Sequence, residues 1–233
     1  MQFSNPDPAY MGAHKTRRNF LLALKWSLIF AAALWFIWIA DAYLGLDLRR
    51  FGLRPRELKG LLGILTAPLI HGSGEHLFAN TTPLIVSFTA ILYLYPNSAL
   101  RVIPMLWVGS GLLAWLIGRP SVHIGASGLI YGVLAFVFVS GVLRQDLRSI
   151  GVSLAVWFLY GSMVWGVLPI KPQMSWEMHL SGAILGVAMA LVYRNFDQVP
   201  IKRYEWEDDD TVPDWYVDAS RELERQKDEG DAD

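Results

Sequence analysis

Apolar residues occur along this chain in long blocks, separated by short stretches that are polar or contain proline. The hydrocarbon core of a membrane is about 30 Å thick, and a helix of roughly 20 residues crosses it. Six spans are predicted: residues 20–44, 76–95, 99–118, 127–143, 149–168 and 178–194. The pattern therefore predicts an all-α, polytopic membrane protein, a six-helix bundle over residues 20–194.

The connection between the first two spans, residues 45–75, is too polar to cross a membrane and too apolar for free solvent. Arg49 and Arg50 lie near its start, and Leu61 and Leu62 lie in its second half. Basic residues followed by apolar ones are typical of segments at a membrane surface. We expect this connection to lie in the interface.

Charge divides the chain into a basic body and an acidic tail. Residues 1–196 hold 15 Lys and Arg against 7 Asp and Glu, a net charge of +8, whereas residues 197–233 hold 5 against 14, a net charge of −9. The basic arm of residues 1–19 favours a cytoplasmic N-terminus, by the positive-inside rule. Six spans then place the tail of residues 195–233 in the cytoplasm too, and its composition predicts disorder. We expect a multi-pass protein of a bacterial inner membrane.

Few polar side chains lie at membrane depth, where they are costly and are functional candidates by default. They fall at the starts of spans two, four and six: His71, His76 and Asn80, then Ser127, then His179. Even-numbered spans all cross the membrane in the same direction. These starts are therefore expected at one face of the membrane.

Glycine pairs at four-residue spacing predict which of these spans touch. They are Gly128 and Gly132 on span four and Gly182 and Gly186 on span six. Small residues at this spacing let membrane helices approach closely. Contact through the glycines would bring Ser127 beside His179.

A serine hydroxyl bonded to an imidazole is an activated nucleophile, because the ring accepts the proton that the hydroxyl loses. This predicts a Ser127/His179 pair. His76, Asn80 and the backbone amide of Ser127 could donate hydrogen bonds to the developing oxyanion.

Each of these residues also has a simpler interpretation. Ser127 alone could be a small residue at a helix crossing, His179 a packed histidine and Asn80 an interhelical hydrogen-bond donor. For His71 and His123 a solvated loop position is the default expectation. The shared location at one end of alternate helices favours a common site instead.

The chain lacks the motifs of metal sites, of cysteine-dependent sites and of nucleic-acid-binding sites. HExxH is absent, and Glu75 and Glu177 lie at loop edges rather than inside a span, so neither a metal nor another cofactor is expected. Cysteine is absent, which excludes cysteine catalysis and disulfides. No basic groove or phosphate-binding loop indicates a nucleic-acid partner.

Taken together, three motifs resemble those of the rhomboid family of intramembrane serine proteases. They are His71-Gly-Ser-Gly-Glu-His76-Leu-Phe-Ala-Asn80, which matches HxxxxHxxxN; Gly125-Ala-Ser127-Gly128, with Tyr131 following; and His179-Leu-Ser-Gly182-Ala-Ile-Leu-Gly186. The resemblance extends over about residues 20–194. It implies a six-helix rhomboid-like bundle.

The resemblance also implies roles for single residues. It implies a Ser127/His179 dyad without an acidic third member and with Tyr131 stacked on His179. It implies that an oxyanion site is formed by His76, Asn80 and the backbone amides of Ala126 and Ser127. It also implies that five further residues support the site: His71, Gly125, Gly128, Gly182 and Gly186. The implied substrates are single-span membrane proteins, reached through the lipid bilayer and cut in or near their transmembrane segment.

One departure from the family pattern lies in the first connection. Many members carry Trp-Arg where this chain has Leu62-Gly63, so the anchoring of the connection is an open question. Two alternatives to a protease are a catalytically silent rhomboid-like protein that binds membrane segments, for quality control or transport, and a small transporter.

Overall fold

The computed structural model describes residues 13–144, 147–170 and 174–197, and within these ranges the chain is helical. Seven α-helices follow in order: α1 Ala13–Leu44, α2 Gly63–Thr66, α3 Gly74–Leu94, α4 Pro96–Ile117, α5 Ser127–Arg144, α6 Leu147–Tyr160 and α7 Trp176–Val192. Short 3-10 helices lie at Leu48–Phe51, Leu58–Leu62, Ala67–Leu69 and Gly161–Val167. The last of these continues α6.

The predicted polytopic architecture is confirmed. Among the described residues, five helical segments are long and apolar enough to cross a membrane: Thr16–Leu44, Gly74–Leu94, Pro96–Ile117, Ser127–Arg144 and Ser149–Val167. The predicted sixth span corresponds to α7, an apolar helix of 17 residues. At 1.5 Å per residue it rises about 25 Å, less than the hydrocarbon thickness.

Local chemistry explains where these helices begin. Ser73 caps α3, because its side chain accepts a hydrogen bond from the His76 backbone N–H at 3.1 Å, so the helix starts two residues before the predicted span. Pro96 starts α4 three residues early, since proline suits the first turn of a helix. Helix α1 starts at Ala13, inside the segment assigned from sequence to the N-terminal arm.

Helix α5 is the central element of the bundle. Of its 18 residues 67% are buried, against 17–39% for the most apolar 18-residue stretch of the other four spanning segments. Its side chains Ile130, Val133, Phe136 and Val137 are almost fully buried. Helix α5, which begins at Ser127, is therefore enclosed by protein rather than facing lipid.

Helix α7 lies against α5 along the two glycine pairs. A Cβ at Gly182 would collide with the Gly128 carbonyl oxygen, and a Cβ at Gly186 would collide with that of Gly132. A Cβ at Gly128 would lie 3.0 Å from the Met178 carbonyl oxygen. The backbones of the two helices thus touch where the glycines lie.

The first connection is folded onto the bundle. Leu53 and His123 exchange two backbone hydrogen bonds, of 3.0 and 2.8 Å, and the Gly125 N–H donates to the Ala67 carbonyl at 2.8 Å. The connection is therefore attached directly to the loop that leads into Ser127.

Two tryptophans of α4 supply the anchoring that the sequence left open. The indole of Trp107 donates to the Leu65 carbonyl and that of Trp115 to the Glu57 carbonyl, both at 3.0 Å. Gly63 is buried, and a Cβ there would collide with the Leu53 backbone. This explains why glycine suits position 63.

The chain beyond α7 is attached to the start of α4, at the end of the bundle opposite Ser127. The Asp197 carboxylate accepts hydrogen bonds from the backbone N–H groups of Asn97 and Ser98, at 3.0 and 2.8 Å, and from both their side chains. It caps the first turn of α4, where amides lack intrahelical partners. Residues 195–197, assigned from sequence to the tail, thus belong to the folded body, and the rest of the predicted tail lies outside the described residues.

Candidate active site

Ser127 is the first residue of α5 and is buried, at 7% exposure. The chain reaches it through Gly125, whose φ of 113° is a backbone conformation that favours glycine. A Cβ on Gly125 would also lie 2.6 Å from Cε1 of His76. Glycine is required at position 125 both by its backbone angle and by the histidine ring beside it.

His179 lies in the first turn of α7 and meets the serine directly. Its Nε2 is 2.7 Å from Ser127 Oγ, and its Nδ1 is 2.9 Å from the carbonyl oxygen of Gly166. A carbonyl can only accept, so Nδ1 carries the hydrogen, and Nε2 of the neutral ring accepts from the serine hydroxyl. This is the tautomer that a general base needs.

Tyr131 covers one face of the His179 imidazole. The two rings are stacked, with centroids 4.2 Å apart and planes 7° apart, and the tyrosine hydroxyl donates to the Met163 carbonyl at 2.8 Å. Met163 and Gly166 both belong to the 3-10 segment Gly161–Val167. That segment therefore positions both rings.

His76 and Asn80 lie beside the backbone two residues before Ser127. Asn80 Nδ2 would be 3.7 Å from a Cβ at Gly125, and this buried amide nitrogen has no hydrogen-bond partner within the described parts of the chain. His76 is half-buried on the same face of α3. Both are side chains that can donate, and both lie beside the segment that leads into Ser127.

His71 lies before α3, and its environment differs from the solvated one expected. It is 3% exposed, and its Nε2 accepts the Ala126 backbone N–H at 3.3 Å. Burial, followed by the charge of nearby His76, lowers the pKa of His71 from 6.5 to about 4, so the ring is neutral and able to accept at neutral pH.

This bond changes one assignment made from sequence. The Ala126 amide, expected to serve an oxyanion, is already used by His71. The Ser127 amide is at the first position of a helix, where no intrahelical carbonyl is available to it. Of these two backbone amides, the Ser127 amide is therefore the one available to an oxyanion.

Sequence reasoning missed a polar cluster next to the dyad. His123, taken as solvated, is 1% exposed, and Glu177, taken as a loop-edge residue, is also 1% exposed and pairs with Arg119 at 2.9 Å. The available signal was position: His123 precedes Ser127 by four residues and Glu177 precedes His179 by two.

An apolar cavity of about 150 Å³ adjoins Tyr131. It lies between α5, α6 and the 3-10 segment and is lined in part by Leu134, Phe138, Trp157 and Val164. Within the described ranges no three His, Asp or Glu side chains come together as metal ligands. The arrangement as a whole offers an activated hydroxyl, nearby donors and apolar space.

Comparison with known proteins gives the family. The Rhomboid domain model matches residues 59–196, more than half of the chain. The chain belongs to the rhomboid family. The matched region contains the dyad, the three motifs and the second half of the first connection.

Relatives of this rhomboid occur in mycobacteria. Uncharacterized protein Rv1337 of Mycobacterium tuberculosis and uncharacterized protein Mb1372 of Mycobacterium bovis are each 38% identical over 172 residues, covering 70% of this chain and 72% of theirs. Uncharacterized protein ML1171 of Mycobacterium leprae is 38% identical over 173 residues, covering 70% and 68%. The family and the membrane-length apolar helices together make this rhomboid an integral, multi-pass membrane protein.

Proposed function

We propose that this rhomboid is an intramembrane serine endopeptidase in which Ser127 is the nucleophile and His179 the general base and acid. The observation that carries the proposal is the 2.7 Å contact between Ser127 Oγ and His179 Nε2. The Gly166 carbonyl on Nδ1 supports it, because that bond leaves Nε2 as the acceptor.

The reaction proceeds in two halves. Ser127 Oγ attacks the scissile carbonyl carbon while its proton moves to His179 Nε2, and the tetrahedral intermediate then collapses as the same proton passes to the leaving amine. Water attacks the acyl-enzyme with His179 again as base, which releases the new carboxyl end and restores the serine hydroxyl. The Gly166 carbonyl stabilises the transient imidazolium in place of an acidic third residue.

The negative charge that develops on the substrate oxygen needs donors. Asn80 offers a buried amide nitrogen without a partner in the described ranges, and His76 and the Ser127 backbone amide complete the set that we propose. Preorganised donors of this kind are each worth about 10²- to 10³-fold in kcat.

We propose single-span membrane proteins as substrates. The dyad lies at the first turns of α5 and α7, and the apolar cavity beside Tyr131 supports binding of an apolar segment from the bilayer. A peptide bond in a regular helix is shielded by its own hydrogen bonds, so cleavage should favour segments with helix-weakening residues. The membrane that we propose is a bacterial inner membrane, with the dyad near its outer face.

The test is cleavage of a single-span reporter in liposomes by the native protein, Ser127→Ala and His179→Ala. Both variants should lose activity by at least about 10³-fold. Ser110→Ala is the matched control, because this buried serine donates its hydrogen bond to the Trp107 carbonyl of its own helix, and the variant should cleave normally.

Equal cleavage by all four proteins would overturn the dyad. Reporter binding without cleavage, and without labelling of Ser127 by a fluorophosphonate, would instead favour the catalytically silent alternative.

A further inference from the structure

An ion pair connects the loop before α5 to the start of α7. Arg119 Nε lies 2.9 Å from Glu177 Oε1, and the Arg119 backbone N–H donates to the same oxygen at 3.3 Å. The guanidinium also donates to the Met174 carbonyl. Glu177 is 1% exposed, and its Oε2 has no hydrogen-bond partner among the described residues, so the buried charge depends on Arg119.

A buried histidine makes a second connection between the same two segments. His123 Nδ1 bonds to Ser175 Oγ at 2.5 Å, and its Nε2 faces the Arg119 carbonyl at 3.1 Å. The backbone of His123 is paired with Leu53 of the first connection. The imidazole is therefore fixed from both sides.

These contacts lie close in sequence to both members of the dyad. His123 lies four positions before Ser127, and Glu177 lies two positions before His179. On the membrane side of the dyad, α5 and α7 touch through glycines such as Gly128 and Gly182. The dyad is thus held between a polar contact and an apolar one.

The two contacts constrain different motions. A seam of small residues fixes how closely two helices approach, but apolar contact is non-directional and tolerates sliding along the axis. The hydrogen bonds from the Arg119 backbone N–H to the Glu177 carboxylate and from the Arg119 guanidinium to the Met174 carbonyl each involve a charged group and have a preferred geometry. A displacement of His179 by about 1 Å along the bond to Ser127 would lengthen it from 2.7 Å to about 3.7 Å, beyond hydrogen-bonding distance.

We propose that Arg119, His123, Ser175 and Glu177 form a polar clamp that sets the axial position of α7 against the segment leading into α5. The clamp keeps His179 Nε2 within bonding distance of Ser127 Oγ. Its members are positioning residues that act through the dyad, and the inference rests on the proposed function.

The test separates positioning from stability. Glu177→Gln keeps the shape of the side chain but removes its charge, and it should lower kcat about 100-fold with KM little changed, because misplacement of about 1 Å has an effect of that size. Labelling of Ser127 by a fluorophosphonate should slow in parallel.

A double variant, Arg119→Met with Glu177→Met, removes both charges and leaves none unpaired. Its thermal midpoint should return towards the native value, as expected when apolar side chains replace a buried ion pair, while kcat stays low. Asp197→Ala is the control for stability alone: it removes the cap of α4 at the far end of the bundle and should lower the midpoint without changing kcat of the folded protein.

Native kcat and labelling in Glu177→Gln would overturn the clamp while leaving the proposed function intact. So would recovery of native kcat together with the midpoint in the double variant, since the pair would then act only through stability. A native protein that neither cleaves the reporter nor reacts at Ser127 would overturn the proposed function, and the clamp with it.

Discussion

At the scale of single residues, the unusual feature is a backbone carbonyl at the position where a Ser-His-Asp triad has its acid. Gly166 accepts from His179 Nδ1, and its own Cβ position is occupied by the Tyr131 hydroxyl and lies 3.2 Å from Nδ1. A side chain at position 166 would therefore push apart the carbonyl, the imidazole and the tyrosine. One glycine sets the tautomer of the base and leaves room for the ring stacked on it.

The first prediction concerns this glycine. Gly166→Ala should lower kcat about 100-fold, the size of effect expected when a general base is misplaced. Gly151→Ala is a matched control on α6, because no atom lies within 4 Å of its Cβ position. Both variants would be compared in the liposome assay, and equal kcat values would remove Gly166 from the mechanism.

The second prediction concerns pH and His71. Its pKa of about 4 in the folded protein lies below the unfolded value of 6.5, so the unfolded chain binds the proton more strongly. The stability that neutral His71 provides is complete above pH 6.5 and is lost as the pH falls towards 4, by at most about 3 kcal/mol. Protonation also removes the acceptor for the Ala126 N–H.

His71→Gln tests this sign, because glutamine can accept a hydrogen bond but does not titrate. Between pH 7.5 and 4.5 the thermal midpoint of the native protein should fall more than that of the variant, measured in detergent micelles. Identical pH curves for His71→Gln and the native protein would contradict the assignment.

At the scale of elements, the sequence predicted helices and one contact well, and backbone contacts poorly. Hydropathy is a local property, so the apolar blocks located all six helices of the bundle. The contact of α5 with α7 was predictable because Gly128 and Gly182 signal close approach. The bonds from Trp107 and Trp115 to the first connection end on carbonyls, which every residue has, so no side-chain pattern indicates them.

Bonds that end on backbone groups also explain which contacts of the site the sequence did not predict. The acceptor for His179 is a carbonyl of Gly166, and His71 uses its ring on an amide. The buried state of His123 and Glu177 follows from tertiary packing of two distant segments, which single-sequence reasoning does not supply.

The third prediction belongs to the contact of α5 with α7. Gly182→Leu should abolish activity and lower the thermal midpoint, because its Cβ already collides with the Gly128 carbonyl and the remaining atoms would separate the helices. Gly151→Leu introduces the same side chain where space is open and should retain activity. Full activity of Gly182→Leu would show that the dyad does not depend on this contact.

At the scale of the whole molecule, the two ends of the bundle differ in chemistry. One end carries the dyad, the polar clamp and the folded first connection. The other carries the Asp197 cap and three of the body's arginines, Arg101, Arg144 and Arg194. We propose from the positive-inside rule that this second end is the cytoplasmic one, which would place the dyad towards the outer face.

The fourth prediction is this orientation, and the absence of native cysteine makes it directly measurable. Lys59 is exposed in the first connection, and Arg194 is exposed beyond α7. In intact cells a membrane-impermeant maleimide should label Lys59→Cys, whereas Arg194→Cys should react only after the membrane is permeabilised. The native protein sets the background, and labelling of both variants after permeabilisation shows that each thiol is accessible. The reverse pattern would contradict this orientation and would place the dyad end on the cytoplasmic side.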